Sequence, residues 1–355
     1  MKKINYVTFS SIPSSLPSSL QIIKTCEALS SYNYDVTLIK PGTGNKNTSI
    51  KKYYDLKNNV YVKEFSFFKT FPLGLNFYLY CLCCIFFILK NKKSLTISRN
   101  YLICFLLTLF KQKTILEIHH DTNVEGRITK FILRYFNFLN KRHLIRIVAI
   151  SKTVKNLFIK KYNVDSKKIK VLPSGSSIRI NQLPKLSKNK RLKLGYFGSF
   201  TPSKGVETMI RLSKIDCCND YYLYGVDKKN LKKFERQNIN KNLFLRESIP
   251  YSILPKELMK MDFLMMPYKK IVRSAGEVDD ISKYTSPLKL FDYLAVGKII
   301  LSSNLKVLRE VISERNAYFI NNYENIFEWK KVIKIAKNSR RKNLIMSINN
   351  LKLSK

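Results

Sequence analysis

The sequence predicts an α/β protein built as two successive parallel-sheet domains, and three observations carry this. Short β-branched or aromatic runs alternate with helix-length segments along the whole chain. The runs are nearly continuously apolar, the pattern of strands covered on both faces. The 355 residues exceed a single domain of about 100–200 residues, and their rhythm breaks once, at the Ser-, Pro-, Asn- and Lys-rich stretch Pro173–Arg191.

In the first domain, residues 1–180, the expected strands are Ile4–Phe9, Asp35–Ile39, Val60–Phe65, Leu95–Ser98, Thr114–Ile118, Arg146–Ile150 and Ile169–Leu172. Helices are expected near 18–30, 75–90, 101–111, 125–141 and 151–161, with Ser151 as a cap because it directly follows IRIVAI and precedes KTVKNLF. Residues 181–191 are the linker. The second domain, 192–330, opens with strand Leu192–Phe197 and helix 204–215. Strands Tyr221–Tyr224, Leu243–Leu245, Phe263–Met266, Ile299–Leu301 and Tyr318–Ile320 follow, with helices 254–260, 287–295 and 305–313 among them. A basic helix, 331–355, ends the chain and is expected to pack back on the N-terminal domain. Ligands of such sheets bind beyond the carboxyl ends of the strands, where the loops are expected to face an interdomain cleft.

Charge is the outstanding feature of the composition. Lys and Arg number 65 against 24 Asp and Glu, a net +41, and fifty of the cations are lysine. Compositional bias toward Asn, Ile, Lys, Phe and Tyr is one reading of the excess; an acidic partner is the other. Arginine is the better bidentate reader of phosphate and bases, so the lysine skew favours an anionic membrane surface over nucleic acid. No zinc-finger, stacking-platform or helix-turn-helix signal stands out, and no specific nucleic-acid partner is expected. Seven cysteines in apolar surroundings make no disulfide framework, and three histidines make a structural zinc site improbable. The start, MKKINYVTFSSIPSSLPSS, has no signal-peptide core, so a cytoplasmic protein is expected.

Thr70–Leu89 holds twenty residues without a charge, long enough to cross a bilayer as a helix. It lies inside the strand–helix alternation, whose ends would then fall on opposite sides of the membrane. The reading is therefore a helix buried in the domain or lying in the membrane surface. Lys90, Lys92 and Lys93 follow it, and Lys111, Lys113, Lys130, Lys141 and Arg142 add charge to a face suited to an anionic inner leaflet.

Two blocks in the second half carry chemistry. In LGYFGSFTPSKGVETMI, 194–210, a strand ends at Phe197, Gly198 opens a turn with Ser199 beside it, and Lys204-Gly205 leads into a helix. Helix-start amides and the Lys204 ammonium suit a diphosphate, although a plain turn and a solvated lysine have the same pattern. In TSPLKLFDYLAVGK, 285–298, Ser286 is the expected cap and Pro287 the first helical residue. Leu288, Phe291 and Leu294 are expected on the packed side, with Lys289 and Asp292 recurring at i,i+3. Asp292 either holds vicinal ribose hydroxyls or offsets Lys289 on a wet face.

Together the two blocks, about ninety residues apart, resemble the C-terminal domain of the family 4 retaining glycosyltransferases, which have the GT-B architecture of two Rossmann-like domains. The N-terminal half agrees: PSSLQIIKTCEALSSYNYDVTLIKP at 17–41, LEIHHDTN at 116–123, IVAISKTVKNLF at 147–158 and VLPSG at 171–175 extend the resemblance over nearly the whole chain. It implies that His119 stands near the transferred sugar and acceptor, with His120 as rival and Glu117 supporting the loop. Lys204 matches the diphosphate-binding lysine, assisted by Gly198, Ser199 and Gly205. Ser286, Pro287, Leu288 and Lys289 line the donor, and Asp292 replaces a ribose-binding glutamate. The loop Ser10–Ser19, with Ser10, Ser18 and Ser19, would close over donor or acceptor.

The chain departs from the family pattern at named positions. Tyr284 stands where the first of two carboxylates is usual, with Glu277, Asp279 and Asp280 upstream, and Ser199 replaces a frequent arginine. Lys204 then needs help from Arg273 or Lys289. What the resemblance implies is transfer of a sugar from a nucleoside diphosphate to a lipid-linked or polysaccharide acceptor with retention, without metal or other cofactor, at the inner face of the plasma membrane. The alternatives are an inactive, membrane-bound scaffolding homologue and a sugar-nucleotide epimerase or hydrolase of the same fold.

Overall fold

The computed structural model describes residues 2–14, 16–42, 49–66, 73–90, 94–180, 182–184, 191–227, 231, 240–273 and 280–354. The chain forms two compact units, Met1–Pro173 and Ser174–Lys355.

The first unit holds a seven-stranded sheet of β1 (Lys3–Val7), β2 (Asp35–Pro41), β3 (Tyr61–Phe65), β4 (Leu95–Ser98), β5 (Thr114–Ile118), β6 (Leu144–Ala149) and β7 (Ile169–Val171). Every pairing is parallel, in the order β3-β2-β1-β4-β5-β6-β7. The second unit repeats the plan with β8 (Lys193–Phe197), β9 (Asp220–Val226), β10 (Leu243–Glu247), β11 (Phe263–Met266), β12 (Ile299–Ser303) and β13 (Ala317–Ile320). Its order is β10-β9-β8-β11-β12-β13, again parallel throughout. Both sheets are Rossmann-like and reverse their order beside the first strand of the unit.

Period-two alternation divides the central strands between two cores, which is why their runs read as continuously apolar. Leu194, Tyr196, Phe263, Met265, Ile299 and Leu301 pack on one face of the second sheet. Phe197, Leu264, Met266 and Ile300 pack on the other. Val206, Met209 and Leu212 of helix Val206–Ile215 cover the first face. Leu290, Tyr293 and Leu294 of helix Leu288–Ala295 cover the second.

Several expectations are corrected. Strand β1 ends at Val7; Phe9 is exposed and packs edge-on against Phe77 and Tyr80 at 5.2 and 5.6 Å. The expected helix 125–141 is shorter, Arg127–Tyr135, because Asn137 adopts a left-handed φ of 44° that no continuing helix tolerates. Residues 174–180 pack with the second unit, where Ile178 joins the core; most of the linker 181–191 lies outside the described residues. The single terminal helix is two, Ile326–Asn338 and Arg340–Leu353. They pack within the second unit: Trp329 is fully buried, and Ser347 and Asn350 bond the Gly297 and Lys298 carbonyls at 2.6 and 3.0 Å. Ser151 caps its helix as expected, accepting from the Val154 amide at 3.2 Å.

Of the uncharged run, the described part is helix Leu73–Lys90, and Lys92 and Lys93 lie outside the described residues. Tyr80, Cys84 and Ile88 are buried, while Leu75, Tyr78, Leu82 and Phe86 are exposed. Among the described residues, no helix is long and apolar enough to cross a membrane.

Candidate functional site

The residues of the second unit converge at the carboxyl ends of β8 and β11, the neighbouring strands at which the sheet order reverses. Strand β8 runs into Gly198, whose amide donates to the Tyr224 carbonyl at 3.0 Å and whose φ is 153°. A Cβ at Gly198 would collide with the Lys289 ammonium, so glycine is required for the lysine to lie there. Ser199 is exposed, and its carbonyl accepts from the Tyr196 hydroxyl at 2.9 Å. Lys204 ends a 3₁₀ turn, Pro202–Lys204, and the helix begins at Val206 rather than at 204. Gly205 links the two with a left-handed φ of 75°, close against the Pro267 carbonyl, where a side chain has no room.

Lys204 and Lys289 share this corner. The Lys204 ammonium donates to the Arg273 carbonyl at 2.6 Å and lies 5.4 Å from the centre of the Tyr268 ring. The Lys289 ammonium lies 3.9 Å over the Tyr196 ring and 5.2 Å from Tyr268. It is out of solvent and, among the described residues, has no hydrogen-bond partner. Burial, then repulsion from Lys204, pushes its pKa well below the ordinary lysine value. An unpartnered buried ammonium costs several kcal/mol, and two aromatic faces return only about 0.5–2 kcal/mol each. An anion seated beside both lysines would remove that cost. Of Arg273, it is the backbone carbonyl that meets Lys204.

Asp292 is buried, not on a wet face, and does not pair with Lys289. Its Oδ1 accepts from the Ser176 hydroxyl at 2.6 Å and the Tyr251 hydroxyl at 2.8 Å. Burial raises its pKa from 3.8 to about 6, against the lowering effect of the two hydroxyls. Ser286 is not the helix cap: its hydroxyl accepts from the Ser174 amide at 3.1 Å, and Pro287 takes the cap position of helix Leu288–Ala295. Leu288 and Phe291 are half-buried, and the packed side is formed by Leu290, Tyr293 and Leu294. Tyr284 donates to the Asp280 carbonyl at 2.9 Å, and Glu277 and Asp279 lie outside the described residues. The sequence reading missed Ser176, Tyr196, Tyr251 and Tyr268. Their only signal is position at the ends of strands or turns, which ordinary packing residues share.

The first unit gathers a second cluster at the carboxyl ends of β1, β4 and β5. Glu117 Oε2 accepts from the Tyr6 hydroxyl at 2.7 Å and from Arg99 Nε at 3.0 Å. Nε2 of His119 lies 3.6 Å from the same oxygen. Burial alone would raise the Glu117 carboxyl, but His119, Arg99 and Tyr6 together hold it at about 2. Burial, and then the Arg99 charge, lower His119 to about 4 against the pull of Glu117, so the imidazole is neutral at pH 7. His120 turns elsewhere, its Nδ1 3.0 Å from the Asp121 carbonyl and its Nε2 3.8 Å from Glu125. In the opening loop Ser10 bonds Thr8 through its amide, and buried Ser19 donates to the Ser11 carbonyl at 2.9 Å. These serines hold the loop's own shape; Ser18 is half-buried at the start of helix Pro17–Ser31. Among the described residues, no group of three or more His, Cys, Asp or Glu is placed to hold a metal ion.

Two all-parallel Rossmann-like sheets in this succession define the GT-B fold, and comparison with solved structures bears it out. A glycosyltransferase from Rickettsia africae ESF-5 matches with a TM-score of 0.69 at 15% identity, over 99% of this chain and 95% of that one. Anabaena Alr3699/HepE, solved in complex with UDP and glucose, matches with a TM-score of 0.67 at 13% identity, over 100% and 95%. Sucrose-phosphate synthase from Thermosynechococcus elongatus matches with a TM-score of 0.68 at 12% identity, over 100% and 94%. No family model and no curated relative matches the sequence.

Proposed function

We propose that the protein is a retaining glycosyltransferase of the family 4 type, moving a sugar from a nucleoside diphosphate to a lipid-linked or glycan acceptor in cell-surface glycan synthesis. The observation that carries the reading is the pair Lys204 and Lys289 at the carboxyl ends of β8 and β11, with the Lys289 ammonium buried and, among the described residues, unpartnered. A diphosphate gains charge as the glycosidic bond breaks. A bound diphosphate favours the charged form of Lys289 against burial, and two preplaced ammonium groups in a dry corner then stabilise the transition state more than the bound donor. Asp292, steadied through Oδ1 by Ser176 and Tyr251, is the group for the ribose hydroxyls. Neutral His119, held by Glu117, is suited to a sugar or acceptor hydroxyl. No metal enters this mechanism, and the protein would act on the cytoplasmic side at an anionic membrane surface. HepE is a parallel for the donor, since its solved complexes contain UDP and UDP-glucose.

Calorimetric titration with UDP and with GDP, in about 0.3 M salt to suppress loose anion binding, tests the donor site. The expected outcome is saturable binding of one nucleotide, weakened at least about tenfold by Lys204→Ala, Lys289→Met and Asp292→Ala. No binding of either by folded protein removes the reading and leaves the scaffolding homologue.

A further inference from the structure

Helix Arg127–Tyr135 of the first unit, RITKFILRY, carries two parallel stripes. Positions 128, 131 and 135 share one face by helical spacing, and positions 127, 130 and 134 share the face one residue round. The first stripe is Ile128, Phe131 and Tyr135; the second is Arg127, Lys130 and Arg134. All six are exposed, while Ile132 and Leu133 turn into the core. Phe131 and Tyr135 are 55% and 64% exposed, with ring centres 4.9 Å apart, and exposed Phe136 lies 5.9 Å from Phe131. A continuous aromatic patch thus stands in water where a surface helix ordinarily carries polar residues. Helix Tyr101–Leu109, which packs against this one, adds exposed Leu109 and Phe110 at its end.

We infer that helix Arg127–Tyr135 is the membrane-docking element: it lies in the surface of an anionic phospholipid bilayer, its aromatic stripe at the acyl boundary and its basic stripe on the lipid phosphates. The headgroup boundary presents those two environments side by side, and the helix, with three cations and no carboxylate, matches both. Helix Leu73–Lys90 is the competing surface. Its exposed Leu75, Tyr78, Leu82 and Phe86 make a longer apolar stripe, but its only charge is Lys90 at the end, so nothing along it matches headgroup charge. The inference rests on the membrane-surface acceptor proposed above. Lipid binding is measured without nucleotide, so either reading can fail alone.

The test is sedimentation of the full chain with vesicles of phosphatidylcholine, alone or with about 30% phosphatidylglycerol, in about 0.15 M salt. Binding is expected to the anionic vesicles, lowered at least about tenfold by F131S/Y135S and by R127Q/K130Q/R134Q. L82S/F86S should leave it unchanged. The indole of a Phe131→Trp variant should be quenched by brominated acyl chains, whereas the natural Trp329 is fully buried. Unchanged binding by F131S/Y135S, with the Phe131→Trp variant unquenched, would mean that the diffuse +41 charge adsorbs the chain and would overturn the inference. Loss in L82S/F86S instead would move docking to the other helix and overturn it equally.

Discussion

Asp292 shows how a residue's surroundings set its chemistry. Because burial raises its pKa from 3.8 to about 6, the folded chain holds its proton where the unfolded chain has released it. Its contribution to stability is therefore complete below about pH 4 and is lost as pH rises through about 6, a penalty of about 3 kcal/mol at neutral pH. Asparagine keeps an oxygen for Ser176 and Tyr251 and removes the titration. Thermal unfolding should find Asp292→Asn at least as stable as the natural chain at pH 7, with the advantage shrinking toward pH 4. A variant less stable at pH 7 than at pH 4, relative to the natural chain, would contradict the assignment. His119 runs the other way, since a lowered pKa makes stability fall with falling pH between about 6.5 and 4. It cancels in this comparison because both proteins carry it. The sequence named Asp292 and Lys289 as candidates and left open whether Asp292 binds ribose or offsets Lys289 on a wet face. Their separation into a hydroxyl-held carboxylate and a buried ammonium between aromatic rings follows from what packs around the helix, and spacing says nothing of that.

At the scale of elements, the β8 turn and helix Leu288–Ala295 are one device. The turn has no side chain at Gly198, and the helix places Lys289 into that space. A methyl group there meets the ammonium and sits on a backbone with φ of 153°. Gly198→Ala should cost about 1–3 kcal/mol in stability and at least about tenfold in nucleotide affinity. Chemical denaturation and the same titration check it, and an unaffected affinity would separate Lys289 from the donor site. The strands themselves were legible to within a residue or two, because burial on both faces writes an unmistakable apolar run. Helix ends were less so. Ser151 reads as a cap and is one, whereas Ser286 reads as a cap and instead bonds Ser174, a partner 112 residues away.

For the whole molecule, the two sheets have separate hydrophobic cores, and residues 174–180 belong with the second. A fragment 174–355 should therefore unfold cooperatively and bind the same nucleotide, while a fragment begun at 192 should be weakened by losing Ser176 and Ile178. Denaturation and titration of both fragments test this; equal affinity in the shorter one would make Ser176 irrelevant to Asp292.

By itself the sequence determined the α/β class, two successive parallel sheets and the positions of the turn glycines and lysines near the strand ends. Those features are local: an apolar run, a glycine and a cap each depend on a few neighbouring residues. Tertiary structure alone decided that Lys289 is buried against Tyr196 and Tyr268, that Asp292 is held by Ser176 and Tyr251, and that Glu117 gathers Tyr6, Arg99 and His119. Each joins residues far apart in the chain, where burial and proximity, not residue type, set charge and reactivity.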